Sequence, residues 1–98
     1  MALKIVWSKR ASLKFDQIVL YLSEEWGEKS AGRFVNSVFD FLEILSEYPK
    51  IGSVENKVKN IRGFTIVKHV NVYYRIKGDF IMLILFFDNR QNPKKKKL

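Results

Sequence analysis

Asn71 to Pro93 reads NVYYRIKGDFIMLILFFDNRQNP. Two apolar, aromatic-rich runs flank Lys77-Gly78-Asp79, and a glycine-containing break between such runs is typical of a β-hairpin. The second run ends in polar residues around Arg90. The stretch therefore predicts two antiparallel strands, with a group of polar side chains where the second strand ends.

Two amphipathic helices are predicted before the hairpin, after a short first strand at 3–7. Ser8 is a suitable N-cap for the first helix, which ends near Gly27. Apolar residues recur there at spacings of three and four, and the same period continues from Glu28 to Tyr48, where Pro49 ends the second helix. The short connection at Gly27 predicts that the two helices form an antiparallel αα-hairpin.

The second half of the chain predicts three strands. Residues 50–60 have no apolar periodicity and are predicted to be a loop of about a dozen residues. Segments 61–70, 71–77 and 80–87 are rich in β-branched and aromatic residues, so they are predicted to be strands in meander order. The predicted fold class is α+β, in the order β-α-α-β-β-β.

One helical hairpin covers only one face of a small, mainly antiparallel four-stranded sheet. The other face is therefore predicted to be open to solvent or to a partner. Alternation along the strand 71–77 places Asn71, Tyr73, Arg75 and Lys77 on one face, which we interpret as the open one. On the opposite face, Tyr74 is predicted to lie in the core with its hydroxyl at the rim.

Length and composition restrict the number of domains and the kinds of binding site that we predict. Its 98 residues predict a single domain over 1–90 and a basic, disordered tail over 91–98, which contains four consecutive lysines. There is no cysteine and only one histidine, so no metal site is predicted, and the scattered glycines predict no nucleotide cofactor. No segment approaches a membrane span, and the predicted location is the cytoplasm.

The positive charge is concentrated in one half of the sequence. Residues 1–49 carry six Lys/Arg and seven Asp/Glu, whereas residues 50–98 carry twelve Lys/Arg and three Asp/Glu. A positive field on one part of a small protein favours an anionic partner such as RNA, DNA or an acidic protein segment. The alternative explanation is an effect on solubility alone.

The element order and two motifs resemble the RelE/ParE superfamily of bacterial toxins from type II toxin-antitoxin modules. The motifs are YRIKGDFI at 74–81 and FFDNRQNP at 86–93, and the resemblance covers nearly the whole chain. It implies that the partner is a small antitoxin whose acidic, amphipathic tail folds onto the basic surface. The candidate cellular targets that it implies are DNA gyrase and the ribosome with its mRNA.

The resemblance implies one of two activities. Members similar to RelE cut mRNA on the ribosome without a metal, whereas members similar to ParE poison DNA gyrase. Arg62 and Arg90 match basic positions of the ribonuclease pattern, but Phe64 and Asn71 stand where basic residues are expected, and the C-terminal tyrosine has no counterpart. A ParE-like growth inhibitor is therefore slightly favoured. The alternatives are a metal-free endoribonuclease and a non-catalytic, nucleic-acid-binding or inactivated homologue.

The candidate site residues fall into two groups. Metal-free RNA cleavage needs positive charge at the scissile phosphate, so the candidate catalytic residues are Arg62, Arg90 and Lys68. For Arg62 and Arg90, the alternative is a solvated sheet edge or an ion pair with Asp88. The candidates for binding the antitoxin or a nucleic acid are Tyr73, Arg75, Lys77 and Asn71.

Overall fold

The computed structural model describes residues 2–90 of the 98, so the predicted disordered tail lies outside the described residues. Two helices follow the first strand, and four strands follow the helices. The elements are β1 (Lys4–Trp7), α1 (Lys9–Trp26), α2 (Glu28–Glu47), β2 (Ser53–Asn56), β3 (Ile61–Val67), β4 (Val70–Lys77) and β5 (Phe80–Asp88).

The helical hairpin forms as the sequence predicts. The Ser8 side chain accepts a hydrogen bond from the Ala11 amide at 3.0 Å and donates one to the Ile84 carbonyl at 3.0 Å, which caps α1 and ties it to β5. Gly27 separates the helices with φ of 93°, a conformation that favours glycine. Trp26 continues the predicted apolar period of the first helix at its end, but its side chain is mostly exposed.

The sheet has five strands rather than the predicted four, in the order β1-β5-β4-β3-β2. The additional strand, β2, lies inside the segment that was predicted to be a loop, and it pairs antiparallel with β3. The meander of β3, β4 and β5 is confirmed, and β1 pairs parallel with β5. The predicted hairpin strands thus lie in the interior of the sheet, with β5 between β1 and β4.

Both helices pack on one face of the sheet. Their buried residues, among them Phe34, Val38 and Leu45, form one core with Val72 and Phe86 of the sheet. The opposite face carries a second, smaller apolar cluster that no described helix covers. Its buried members are Ile61, Tyr73, Leu85 and Phe87. Neither described helix is long and apolar enough to cross a membrane.

Candidate functional site: charged residues at two ends of the sheet

Arg62 holds the turn that follows α2. Its Nη1 donates to the Gly52 carbonyl at 2.8 Å and to the Lys50 carbonyl at 3.4 Å. The Tyr74 hydroxyl completes the network, because it donates to the Pro49 carbonyl at 2.8 Å and accepts from the Gly52 amide at 2.9 Å. Arg62, near the start of β3, therefore satisfies backbone oxygens of the segment between α2 and β2.

Tyr74 confirms the prediction of a core tyrosine, but its hydroxyl is buried with the ring and is hydrogen-bonded to backbone groups of Pro49 and Gly52 instead of lying at the rim. It is fully buried among the apolar residues of the helix-covered face. Burial raises the pKa of the Tyr74 hydroxyl, although the Gly52 amide and the nearby Arg62 charge act in the opposite direction. The hydroxyl thus stays protonated at neutral pH and remains the donor to Pro49.

Arg90 is paired with Asp88 at the other end of the sheet. Its Nη2 lies 2.7 Å from one Asp88 carboxylate oxygen, and its Nε and backbone amide lie 3.0 and 2.9 Å from the other. The Asp88 side chain is only 1% exposed, while that of Arg90 is 37% exposed. The guanidinium carbon also lies 5.8 Å from the ring centroid of Tyr21.

The electrostatics of this pair favour the ionised form of Asp88. Burial acts to raise the pKa of the Asp88 carboxyl, but the hydrogen bonds from Arg90 and the charges of Arg90 and His69 together hold it below its usual range. The same hydrogen bonds raise the pKa of Arg90. The structure therefore contains the ion pair that the sequence offered as the alternative to a catalytic Arg90.

The three candidate catalytic cations do not meet at one place. Lys68, in the turn between β3 and β4, and Arg90 line one pocket together with Arg33 of α2. Arg62 lies opposite Tyr74 in the β3–β4 pairing, whereas Asp88 lies opposite Val70. Tyr74 and Val70 are four residues apart, a rise of roughly 13 Å along β4. A phosphate bound near Arg90 is thus out of reach of Arg62.

The four candidate binding residues share the face opposite the helices, as alternation predicts. Tyr73 is only 1% exposed, so its ring is buried in the isolated chain, and its part in binding stays a prediction. The Asn71 amide donates to the Tyr73 hydroxyl at 3.1 Å and accepts from the Thr65 hydroxyl at 2.7 Å. Arg75 and Lys77 continue along the same face toward the β4–β5 turn.

The sequence missed an exposed apolar corner beside the turn that Arg62 holds. Tyr48 and Ile51 line a cavity of about 670 Å³ together with Pro49 and Ile76. Tyr48 is 67% exposed, and Val54 of the neighbouring edge strand β2 is 51% exposed. The available signal was that Ile51 and Val54 are apolar residues in the segment without periodicity that follows the predicted second helix.

Within residues 2–90, no group of three or more His, Asp or Glu side chains lies close enough together to hold a metal ion. Carboxylates and imidazoles are the side chains that would form such a site in a chain without cysteine. The candidate residues are therefore cations, amides and aromatic rings.

Comparison with known proteins agrees with this fold. Among solved structures, a chromosomal ParDE toxin-antitoxin system from P. aeruginosa matches with a TM-score of 0.75 at 18% identity, covering 89% of this chain and 96% of that one. The YoeB dimer from Staphylococcus aureus matches with a TM-score of 0.63 at 11% identity, over 89% and 97% of the two chains. A YoeB/ParE toxin from Agrobacterium tumefaciens gives 0.62 at 14% identity, over 87% and 97%. None of the curated proteins matches the chain.

The fold is thus that of the RelE/ParE-type toxins. The sequence profile of the family described as "ParE toxin of type II toxin-antitoxin system, parDE" matches residues 5–93, and the chain belongs to this family. Its class is therefore the toxin component of a type II toxin-antitoxin pair, whose partner is a protein antitoxin.

Proposed function

We propose that this toxin stops bacterial growth by acting on DNA gyrase and does not cut mRNA. The observation that carries the proposal is the separation of Arg62 from Lys68 and Arg90, so that the three candidate catalytic cations do not act on one phosphate. Arg62 is engaged with two backbone carbonyls at one end of the sheet, and Arg90 is engaged with Asp88 at the other. Metal-free cleavage needs preorganised positive charge concentrated on one phosphate. Membership of the ParE family supports the same conclusion.

The test is induction of the chain in bacteria, with and without its antitoxin. We expect growth arrest that the antitoxin relieves, a DNA-damage response and no new mRNA ends inside codons. Purified toxin should inhibit supercoiling by purified gyrase, and the antitoxin should restore the reaction. Codon-internal mRNA ends on translating ribosomes, with gyrase unaffected, would instead establish the endoribonuclease. The absence of any arrest would contradict both activities.

The antitoxin of this proposal has an acidic, amphipathic segment that docks at the exposed corner of Tyr48, Ile51 and Val54. These side chains are exposed and apolar, so a partner that covers them gains hydrophobic burial. Lys50 and Lys57 flank the corner in sequence, but Glu47 lines its cavity and Glu55 follows Val54, so the docking rests on apolar contacts and not on a net positive charge of the corner. The outer edge of β2 also leaves backbone groups available for an added strand.

Val54→Glu tests this docking surface. The substitution places a negative charge on an exposed strand position, so we expect it to weaken antitoxin binding at least about tenfold while the toxin remains folded. Leu20→Glu is the matched control, because Leu20 is 59% exposed on α1 and lies outside the corner. Affinities are measured by calorimetry with the full-length antitoxin. If Leu20→Glu weakens antitoxin binding more than Val54→Glu does, the antitoxin docks on the helices and not at the corner.

A further inference from the structure

A cationic pocket lies between α2 and the end of the sheet, on the side that the helices cover. Its volume is about 360 Å³, and Arg33, Lys68 and Arg90 line it. Arg33 belongs to α2, Lys68 to the β3–β4 turn, and Arg90 follows the end of β5 by two residues. They are distant in sequence, so only the tertiary fold brings them together. The volume falls within the range of small-molecule sites.

The charge in the pocket is only partly neutralised. Asp88 engages Nε and Nη2 of Arg90, and Nη1 has no partner among residues 2–90. Arg33 and Lys68 form no ion pair with any described residue. The three cations and the one carboxylate leave a net charge of +2. An anion that carries close to two negative charges therefore matches the pocket best.

Polar and apolar groups complete the lining. Ser30, Arg33 and Ser37 lie three and four residues apart on α2, so they share one face of the helix and supply two hydroxyls beside the guanidinium. Phe34, Val67 and other apolar side chains line the remainder. The pocket thus combines donors for several anion oxygens with an apolar surface that a ring can contact.

We propose that this pocket binds a phosphate monoester attached to a small ring-bearing group, such as a nucleoside 5′-monophosphate. A phosphate monoester carries about −1.5 to −2 charges at neutral pH and three acceptor oxygens, which matches the donors and the net charge. A phosphodiester or a single carboxylate carries only one negative charge and matches less well. This site is separate from the antitoxin corner, and it goes beyond the proposed action on gyrase.

Titration of the full-length toxin with adenosine 5′-monophosphate tests the proposal. We expect saturable binding at one site, with amide NMR shifts confined to α2, the part of α1 around Leu22, the β3–β4 turn and the end of β5. Arg33→Ala and Lys68→Ala should each weaken binding at least about tenfold, because each removes a charged hydrogen-bond donor. Both residues are exposed, so their loss leaves the core intact. Arg90 is not substituted, because it stabilises buried Asp88.

Arg10→Ala is the matched control, since Arg10 is an exposed cation near the start of α1 that lies outside the pocket. It should leave the affinity unchanged. Adenosine without its phosphate should not bind, and inorganic phosphate should bind more weakly than the nucleotide. The proposal is overturned if the nucleotide does not bind, if Arg10→Ala weakens binding as much as Arg33→Ala, or if glutarate binds as tightly as the nucleotide.

Discussion

Gly52→Ala is expected to destabilise the protein by about 3 kcal/mol, the sum of overpacking and of lost buried hydrogen bonds. A Cβ atom at this position would lie 2.7 Å from the Gly63 carbonyl oxygen and 2.7 Å from the Tyr74 hydroxyl. The carbonyl belongs to the backbone of β3 and does not move aside without disturbing the sheet. The hydroxyl moves only by giving up its hydrogen bonds to Pro49 and Gly52.

Gly32→Ala is the matched control for the same chemical change. Gly32 lies inside α2, and a Cβ atom there meets nothing within 4 Å. Because glycine is a poor helix former, this substitution should stabilise the protein by roughly 0.5–1 kcal/mol. Urea unfolding of the two variants measures both effects. If Gly52→Ala and Gly32→Ala have equal unfolding free energies, the turn at residue 52 accommodates the methyl group and the hydrogen bonds of the Tyr74 hydroxyl do not contribute to stability.

The helices and the central hairpin could be predicted because their signals are local. The caps, the apolar period and the Gly78 turn each lie within a few residues of the element that they define. β2 had no such signal, because its strand conformation depends on pairing with β3 across an irregular register. The boundary between β3 and β4 was placed after residue 70, whereas the turn lies at Lys68-His69, because this pair contains no glycine and His69 adopts a φ of 75° that non-glycine residues rarely take.

The candidate site could be predicted only in part, for the same reason. The sequence identified Arg62, Lys68 and Arg90 as notable cations, and it offered Asp88 as a partner for Arg90 only two residues away. It did not indicate that Arg33 of α2 joins Lys68 and Arg90, because the contact crosses from a helix to a turn. The partners of Arg62 are backbone carbonyls, which every residue has and which no sequence pattern singles out.

Arg90→Ala is expected to cost about 3 kcal/mol of stability at neutral pH, because it leaves the Asp88 carboxylate buried without its cation. This value is at the lower end of the cost of breaking a buried ion pair, because the Arg90 side chain is 37% exposed and water reaches its outer side. Asp88→Asn should cost less, because the guanidinium that remains is already partly hydrated. Arg33→Ala removes an exposed cation that has no ion-pair partner among residues 2–90, and it should change stability by no more than about 0.5 kcal/mol.

The pH dependence of stability distinguishes the loss of the Asp88–Arg90 ion pair from a simple loss of packing. In the wild type, the pKa of Asp88 is lowered, so its contribution is present above the unfolded-state value of about 3.9 and is lost as the pH falls through the native value. In Arg90→Ala, burial acts without the guanidinium and raises the pKa of Asp88. The carboxyl then contributes stability below about pH 3.9 that is lost as the pH rises.

The difference in unfolding free energy between wild type and Arg90→Ala should therefore shrink between pH 7 and pH 3.5, as measured by urea unfolding at both values. Asp88→Asn cannot titrate at this position, so adding Arg90→Ala to it should give a cost that is nearly independent of pH. If the difference in unfolding free energy between wild type and Arg90→Ala does not change with pH, Arg90 stabilises this end of the sheet through its contact with Tyr21 and through its aliphatic stem. A destabilised Arg90→Ala variant could lose toxicity simply because less of it is folded. Growth assays of this variant therefore report on gyrase inhibition only when its unfolding free energy has been measured as well.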